Sequence, residues 1–290
     1  MTTDPDAPFS WAAELTSDDA PQQPVFWFAL AQTHVENERP DLALEALTTA
    51  IGLAPDPAAE AGASSHPGAS RPDLASLYSL RARAHDMSGR LREAIADLSQ
   101  AIEFGPDDHE AYTDRGVLWQ RTGAMGAALR DFARALELEP RDTKARFNRG
   151  NVYDALGLHA KAVEEYDAAI GLDGAYVMAY ANRGATYVAL GLLQKAADDF
   201  THAIRLMPGE LIPRLNRAMV HFRMRRYAEA VGDFEEALAL RPPPDGGYTE
   251  QAECLLRMER PDLALVFLDL AARAGSRDAA DRAAAIRAER

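Results

Sequence analysis

From residue 24 onward, apolar residues return every three or four positions in stretches of about 12 to 14 residues, the mark of helices with one buried face. The stretches come in pairs that repeat every 34 residues, in rows starting at 75, 109, 143, 177, 211 and 245 without a gap, plus a further row at 24–57. Counted from the start of each row, column 20 reads Ala43, Ala94, Ala128, Ala162, Ala196, Ala230 and Ala264. Column 27 reads Ala50, Ala101, Ala135, Ala169, Ala203, Ala237 and Ala271. Column 8 is always small (Ala31, Ala82, Gly116, Gly150, Gly184, Ala218, Ala252), whereas columns 4, 11 and 24 are mostly large, as Tyr112, Trp119 and Phe132 show. Small residues facing large ones at helical spacing allow antiparallel helices to approach closely. A Gly or Arg near column 15 divides most rows, and Pro55, Pro106, Pro140, Pro208 and Pro242 at column 32 are placed to end the second helix.

The 34-residue period with these columns resembles the tetratricopeptide repeat, over residues 24 to 278. The resemblance implies an all-α fold: a right-handed superhelical solenoid of seven helix-turn-helix repeats whose first helices line a concave groove. Residues 24–57 form the first repeat and 75–278 the second to seventh, and residues 279–290, helix-favouring and alanine-rich, are expected to cap the last apolar face. Between the first two repeats, residues 58–74 (AAEAGASSHPGASRPDL) read as a flexible insertion, which stacking tolerates because closure entropy grows slowly with loop length. Residues 1–23 are acidic and proline-bearing, expected to be disordered, with one apolar island at Phe9 to Leu15.

Two polar columns break the family pattern or extend it. Column 7, a leucine position in the family, carries Arg81, Arg115, Arg149, Arg183 and Arg217, and the same five rows carry an acid at column 23: Asp97, Asp131, Glu165, Asp199 and Asp233. The first row has Leu30 with Ala46 and the last Gln251 with Phe267, so both partners are present or neither is. This predicts an ion pair between the two helices of each inner repeat, with the Arg stem packed. At column 6, Asn148, Asn182 and Asn216 lie about 100° around the helix from the packed Arg. By analogy with the family that column faces the groove, where a carboxamide column can bond a peptide backbone whatever its side chains; the repeats of O-linked N-acetylglucosamine transferase resemble this. Groove columns 2, 5, 9, 12 and 13 add Met178, Val188, Ile212, Leu215, Met219 and Phe222, an apolar stripe suited to an extended or helical peptide that Phe147 and Asn151 extend into row four, where Lys144 holds column 2. The same stripe would belong to the core if the face were assigned one column off. The lysines of the family's carboxylate clamp are missing at column 5, so a chaperone-tail ligand is not expected. Arg223, Arg225 and Arg226 end one first helix, where they complement its dipole or meet an acidic partner.

A net charge of −14 argues against nucleic acid as partner. Cys254 is the only cysteine, which leaves neither an intrachain disulfide nor a cysteine zinc cluster. The N-terminus lacks a basic region followed by an apolar run, and no membrane-length apolar segment occurs, so the expected location is the cytoplasm. No phosphate loop, nucleophile elbow or His-Glu-x-x-His motif is present, and no cofactor or metal site is expected. His34, His85 and His221 fall at column 11, a packing position. The expected function is therefore a non-enzymatic adaptor that binds an extended peptide segment of a protein partner. A second reading is a self-assembling scaffold, a homo-oligomer in which Phe9 to Leu15 of one chain fills a neighbour's groove.

Overall fold

The computed structural model describes residues 23–54, 73–240, 248–257, 259–273 and 275–288. The island at Phe9 to Leu15 and most of the insertion lie outside them. Among the described residues the chain forms fifteen α-helices and no strand. In chain order they are α1 (Pro24–Glu36), α2 (Pro40–Leu53), α3 (Leu74–Met87), α4 (Leu91–Phe104), α5 (His109–Arg121), α6 (Met125–Leu138), α7 (Thr143–Ala155) and α8 (His159–Leu172). The remainder are α9 (Val177–Ala189), α10 (Leu193–Leu206), α11 (Leu211–Arg223), α12 (Tyr227–Leu240), α13 (Tyr248–Arg257), α14 (Pro261–Arg273) and α15 (Arg277–Ala288).

One turn recurs inside every repeat. The residue at column 15 takes a positive φ, as Gly89, Gly123, Gly157 and Gly191 do at 71°, 81°, 73° and 74°. The next backbone N–H reaches five residues back, as from Arg90 to the His85 carbonyl (2.9 Å) and from Leu192 to the Tyr187 carbonyl (2.8 Å). This is the Schellman closure, which satisfies carbonyls that the ending helix leaves bare. Glu38, Arg225 and Glu259 adopt the same left-handed conformation at 55°, 61° and 58°. A side chain there costs on the order of 1–2 kcal/mol, so the packing of the two helices, and not glycine alone, holds the turn.

The chain divides into two compact units, residues 1–142 and 143–290. In the first, α1 packs on α2, α2 on α3, and so on to α6. The two helices flanking the insertion meet directly: Leu47, Ala50 and Leu77 share one cluster and Val35, Ala43, Leu44 and Ala84 another. In the second unit the same succession runs from α7 to α15, where Ala279 and Ala283 of α15 cover Leu268 and Ala271 of α14.

The alanine columns form the spine of the core, since every residue at columns 20 and 27 is buried. Opposite column 8 stand the column-24 side chains Phe132, Tyr166, Phe200 and Phe234, each fully buried and each contributing roughly 1.5–3 kcal/mol of apolar burial. A Cβ built on Gly116 would lie 2.6 Å from the Phe132 ring, and one on Gly150 2.8 Å from the Tyr166 ring. The Gly at column 8 of these repeats is thus set by ring contact. Proline proves dispensable as a helix stop: α8 ends at Leu172 in register with the others, although column 32 of its row is Gly174.

Candidate functional site

The column-7 arginines are structural. Arg81 Nε and Nη2 donate to Asp97 at 2.8 and 2.6 Å, and the same two-pronged pairing joins Arg115 to Asp131, Arg183 to Asp199 and Arg217 to Asp233. The acids are buried and the guanidinium stems half-buried. A third arm reaches the preceding repeat: Arg115 Nη1 bonds Ser99, Arg183 Nη1 bonds Asp167 and Arg217 Nη1 bonds Thr201. For Arg183, burial works against the cation, yet the bonds to Asp199 and Asp167 prevail and its pKa is raised. In repeat four the acid is one methylene longer, and the fork fails. Arg149 Nη2 meets Glu165 Oε1 at 2.6 Å, while Arg149 Nε and Glu165 Oε2 are buried without a hydrogen bond, the latter 3.9 Å from Arg146 Nη1. Where the arginine is replaced, Gln251 is fully buried with both amide atoms unbonded.

Histidines at column 11 sit beside these pairs: His221 Nδ1 is 3.1 Å from Asp233 and His85 Nε2 is 3.6 Å from Asp97. Burial holds the His85 pKa below its usual value despite the nearby carboxylate.

The groove columns divide into three groups. Met178 and Ile212 are well exposed, at 57% and 59%, and Lys144 is exposed on the same column. Phe147 is a correction. It is 6% exposed and packs between Tyr166 and Tyr176, with centroid separations of 6.0 and 5.0 Å, because column 5 turns toward the second helix and not toward the groove. Leu215, on the same column, likewise packs with Met219 and Phe222 along the Ala218, Ala230, Phe234 cluster. Val188 lies half-buried against Phe200 and Val220.

The asparagines differ from one another. Asn148 Nδ2 donates to its own helix at the Lys144 carbonyl (2.9 Å). Asn182 Nδ2 donates to Asn151 Oδ1 at 2.8 Å, which also accepts the Tyr166 hydroxyl at 2.8 Å. Burial, reinforced by the Asp154 charge, raises the Tyr166 pKa, so the phenol keeps its proton and donates. That fixes the Asn151 oxygen as acceptor and turns the Asn182 oxygen away from the bond. Asn216 occupies the same column one repeat on, where Ala185 replaces Asn151 and Phe200 replaces Tyr166. No hydrogen bond holds it among the described residues.

The space left by those two replacements is a pocket. It has a volume of about 270 Å³ and is lined by Ala185, Val188, Phe200, Asn216, Met219, Val220 and Arg223. Val188, Asn216 and Met219, expected along the groove, meet here, together with Arg223 from the end of α11. Phe200 reaches the pocket from the large column 24, and the Ala at column 9 beside the Asn at column 6 is the sequence signal of the opening.

Two hydroxyl-histidine-acid groupings serve packing. Thr113 Oγ1 donates to Asp142 at 2.8 Å with His109 Nδ1 3.0 Å from the same oxygen, and Thr186 and His159 meet Asp154 likewise. In each the carboxylate takes both contacts, and no base faces the hydroxyl. Among the described residues, no group of His, Cys, Asp and Glu is arranged to hold a metal ion, and no helix is long and apolar enough to cross a membrane. Cys254 is buried and its thiol pushed up to about 12, mainly by burial.

Helix pairs of this form, stacked through small columns, define a repeat class. Profiles described as tetratricopeptide repeat match residues 25–57, 79–129, 126–177 and 214–244, more than half of the chain. The chain belongs to the tetratricopeptide repeat family. A comparison with curated proteins gives no match. Among solved structures, a tetratricopeptide repeat protein from Parabacteroides merdae is similar over 92% of this chain and 98% of its own, at 19% identity and TM-score 0.63. PilF of Pseudomonas aeruginosa is similar over 73% and 97%, at 18% identity and TM-score 0.62. YrrB, described as having an unusual peptide-binding site, is similar over 64% and 96%, at 21% identity and TM-score 0.57. At these identities the likeness is one of fold.

Proposed function

We propose that this chain is a non-enzymatic cytoplasmic adaptor that captures an extended peptide segment of a protein partner on the first-helix face of repeats four to six. The pocket between α9 and α11 carries this reading, because it joins apolar walls to an unbonded carboxamide and a cation. Such a mixture suits one apolar anchor with a polar backbone beside it. The Asn151–Asn182 pair one repeat earlier offers a fixed amide donor and acceptor to the continuing backbone. That YrrB, a protein of the same fold, is described by its peptide-binding site supports the assignment. The test is a pull-down from cell lysate with the full chain and with Asn216→Ala/Met219→Asp. The variant is expected to lose the captured protein; equal yield from both baits overturns the reading.

A further inference from the structure

The lining of the pocket is ordered along α11. Asn216, Met219, Val220 and Arg223 fall on one stripe of that helix, so an amide, an apolar floor and a cation follow one another over about 10 Å. Ala185 and Val188 of α9 and Phe200 of α10 complete the apolar part, and all of these residues belong to the second unit.

The cation at the end of the stripe is uncommitted. Arg223 is exposed, and Arg225 and Arg226, exposed likewise, follow it in the turn to α12. None of the three is paired with an acid among the described residues, and no acid lines the pocket. By contrast Arg183, Arg214 and Arg217, on the same two first helices, are paired with Asp199, Glu236 and Asp233 of α10 and α12, which takes those carboxylates out of play. Three free cations at one end of an apolar pocket, in a chain of net charge −14, attract an acidic group and repel a basic one.

The spacing says where on a ligand that group lies. Met219 and Arg223 are four residues apart, about 6 Å along the helix axis. Side chains on one face of an extended chain recur every second residue, at about 6.5 Å. The two repeats match, so an apolar side chain over Met219 and an acid two residues from it reach both groups at once. Asn216, on the other side of Met219, is left for the peptide backbone. At about 270 Å³ the pocket exceeds the roughly 150 Å³ that holds a benzene ring, so the anchor can be aromatic.

We propose that the pocket selects an acidic peptide, an extended partner segment with an aromatic anchor among Val188, Phe200 and Met219 and an Asp or Glu side chain, two residues from that anchor, on Arg223. This rests on reading the pocket as a peptide site and names the chemistry of its ligand. The acid is a side chain, so the ligand needs no free C-terminus, in contrast to a carboxylate clamp, whose column-5 lysines this chain lacks.

The experiment measures, by fluorescence anisotropy with the full chain, binding of a labelled and C-terminally amidated glycine-serine peptide that carries one tryptophan with a glutamate two residues to either side. Replacing both glutamates by lysine is expected to weaken binding about tenfold, and added salt to narrow that difference. Moving each glutamate next to the tryptophan turns it to the other face and is expected to weaken binding about threefold. In the Arg223→Glu chain the preference is expected to reverse, the lysine peptide binding more tightly, and Met219→Asp is expected to abolish binding of both. Equal binding of the glutamate and lysine peptides, an unchanged preference in Arg223→Glu, or no binding at all overturns the proposal. If the two peptides bind equally and both are lost on Met219→Asp, or if neither binds while lysate capture is still lost on Asn216→Ala/Met219→Asp, the acidic ligand is wrong and the adaptor reading stands. Failure of the peptides together with undiminished lysate capture removes the site itself.

Discussion

Repeats four and five share one plan, and their differences at three positions separate a closed junction from an open one. Repeat four has Asn151, Glu165 and Tyr166 where repeat five has Ala185, Asp199 and Phe200. In repeat four the two polar groups tie down Asn182 of the next repeat, while the long acid reaches its arginine through one oxygen only. In repeat five the acid is gripped by two nitrogens, and the missing amide and hydroxyl leave Asn216 unbonded over a pocket. The pocket here is what remains when a polar network is removed from a repeated scaffold.

The largest expected effect concerns the ion pairs. Arg183→Ala strands a buried carboxylate and is expected to cost about 3–5 kcal/mol, whereas Arg149→Ala, which gives up a single contact, is expected to cost about 1–3. Urea unfolding of the full chain measures both, and equal losses would erase the difference between the repeats. Next come the shared glycines. Gly150→Ala and Gly184→Ala press a Cβ to 2.8 and 2.9 Å from a packed ring and should each cost about 1–3 kcal/mol. A cost at one position alone would show that the two cores are unlike in packing as well as in polarity. Copying repeat four into repeat five with Ala185→Asn/Phe200→Tyr should bond Asn216 and fill the pocket, lowering lysate capture about tenfold, or about 1.4 kcal/mol. Unchanged capture breaks the link between the missing network and the site. The smallest effect is the converse repair. Glu165→Asp shortens the acid so that the fork can close on Arg149, with an expected gain of about 0.5–1 kcal/mol in the same unfolding assay.

Much of this molecule was legible before any coordinates. The alanine columns, the small residue at column 8 and the pairing of Arg81, Arg115, Arg183 and Arg217 with acids sixteen residues on are statements about periodic packing, and period is what a sequence displays directly. The site was legible only in part. Asn148, Asn182 and Asn216 look identical in the sequence, yet one bonds its own helix, one bonds Asn151 and one is left unbonded. Phe147 was misplaced because columns 5 and 6 are neighbours in sequence but face different helices once the pair has packed.

The sequence by itself therefore determined the repeat, its turn and its inner ion pairs, because each follows from contacts within 34 residues that recur down the chain. Which asparagine remains available, and that a pocket opens beside it, was decided only in the tertiary structure. Those outcomes depend on the side chains that consecutive repeats bring against one another, and a hydrogen bond between Asn151 and Asn182 has no expression in the period of either repeat alone.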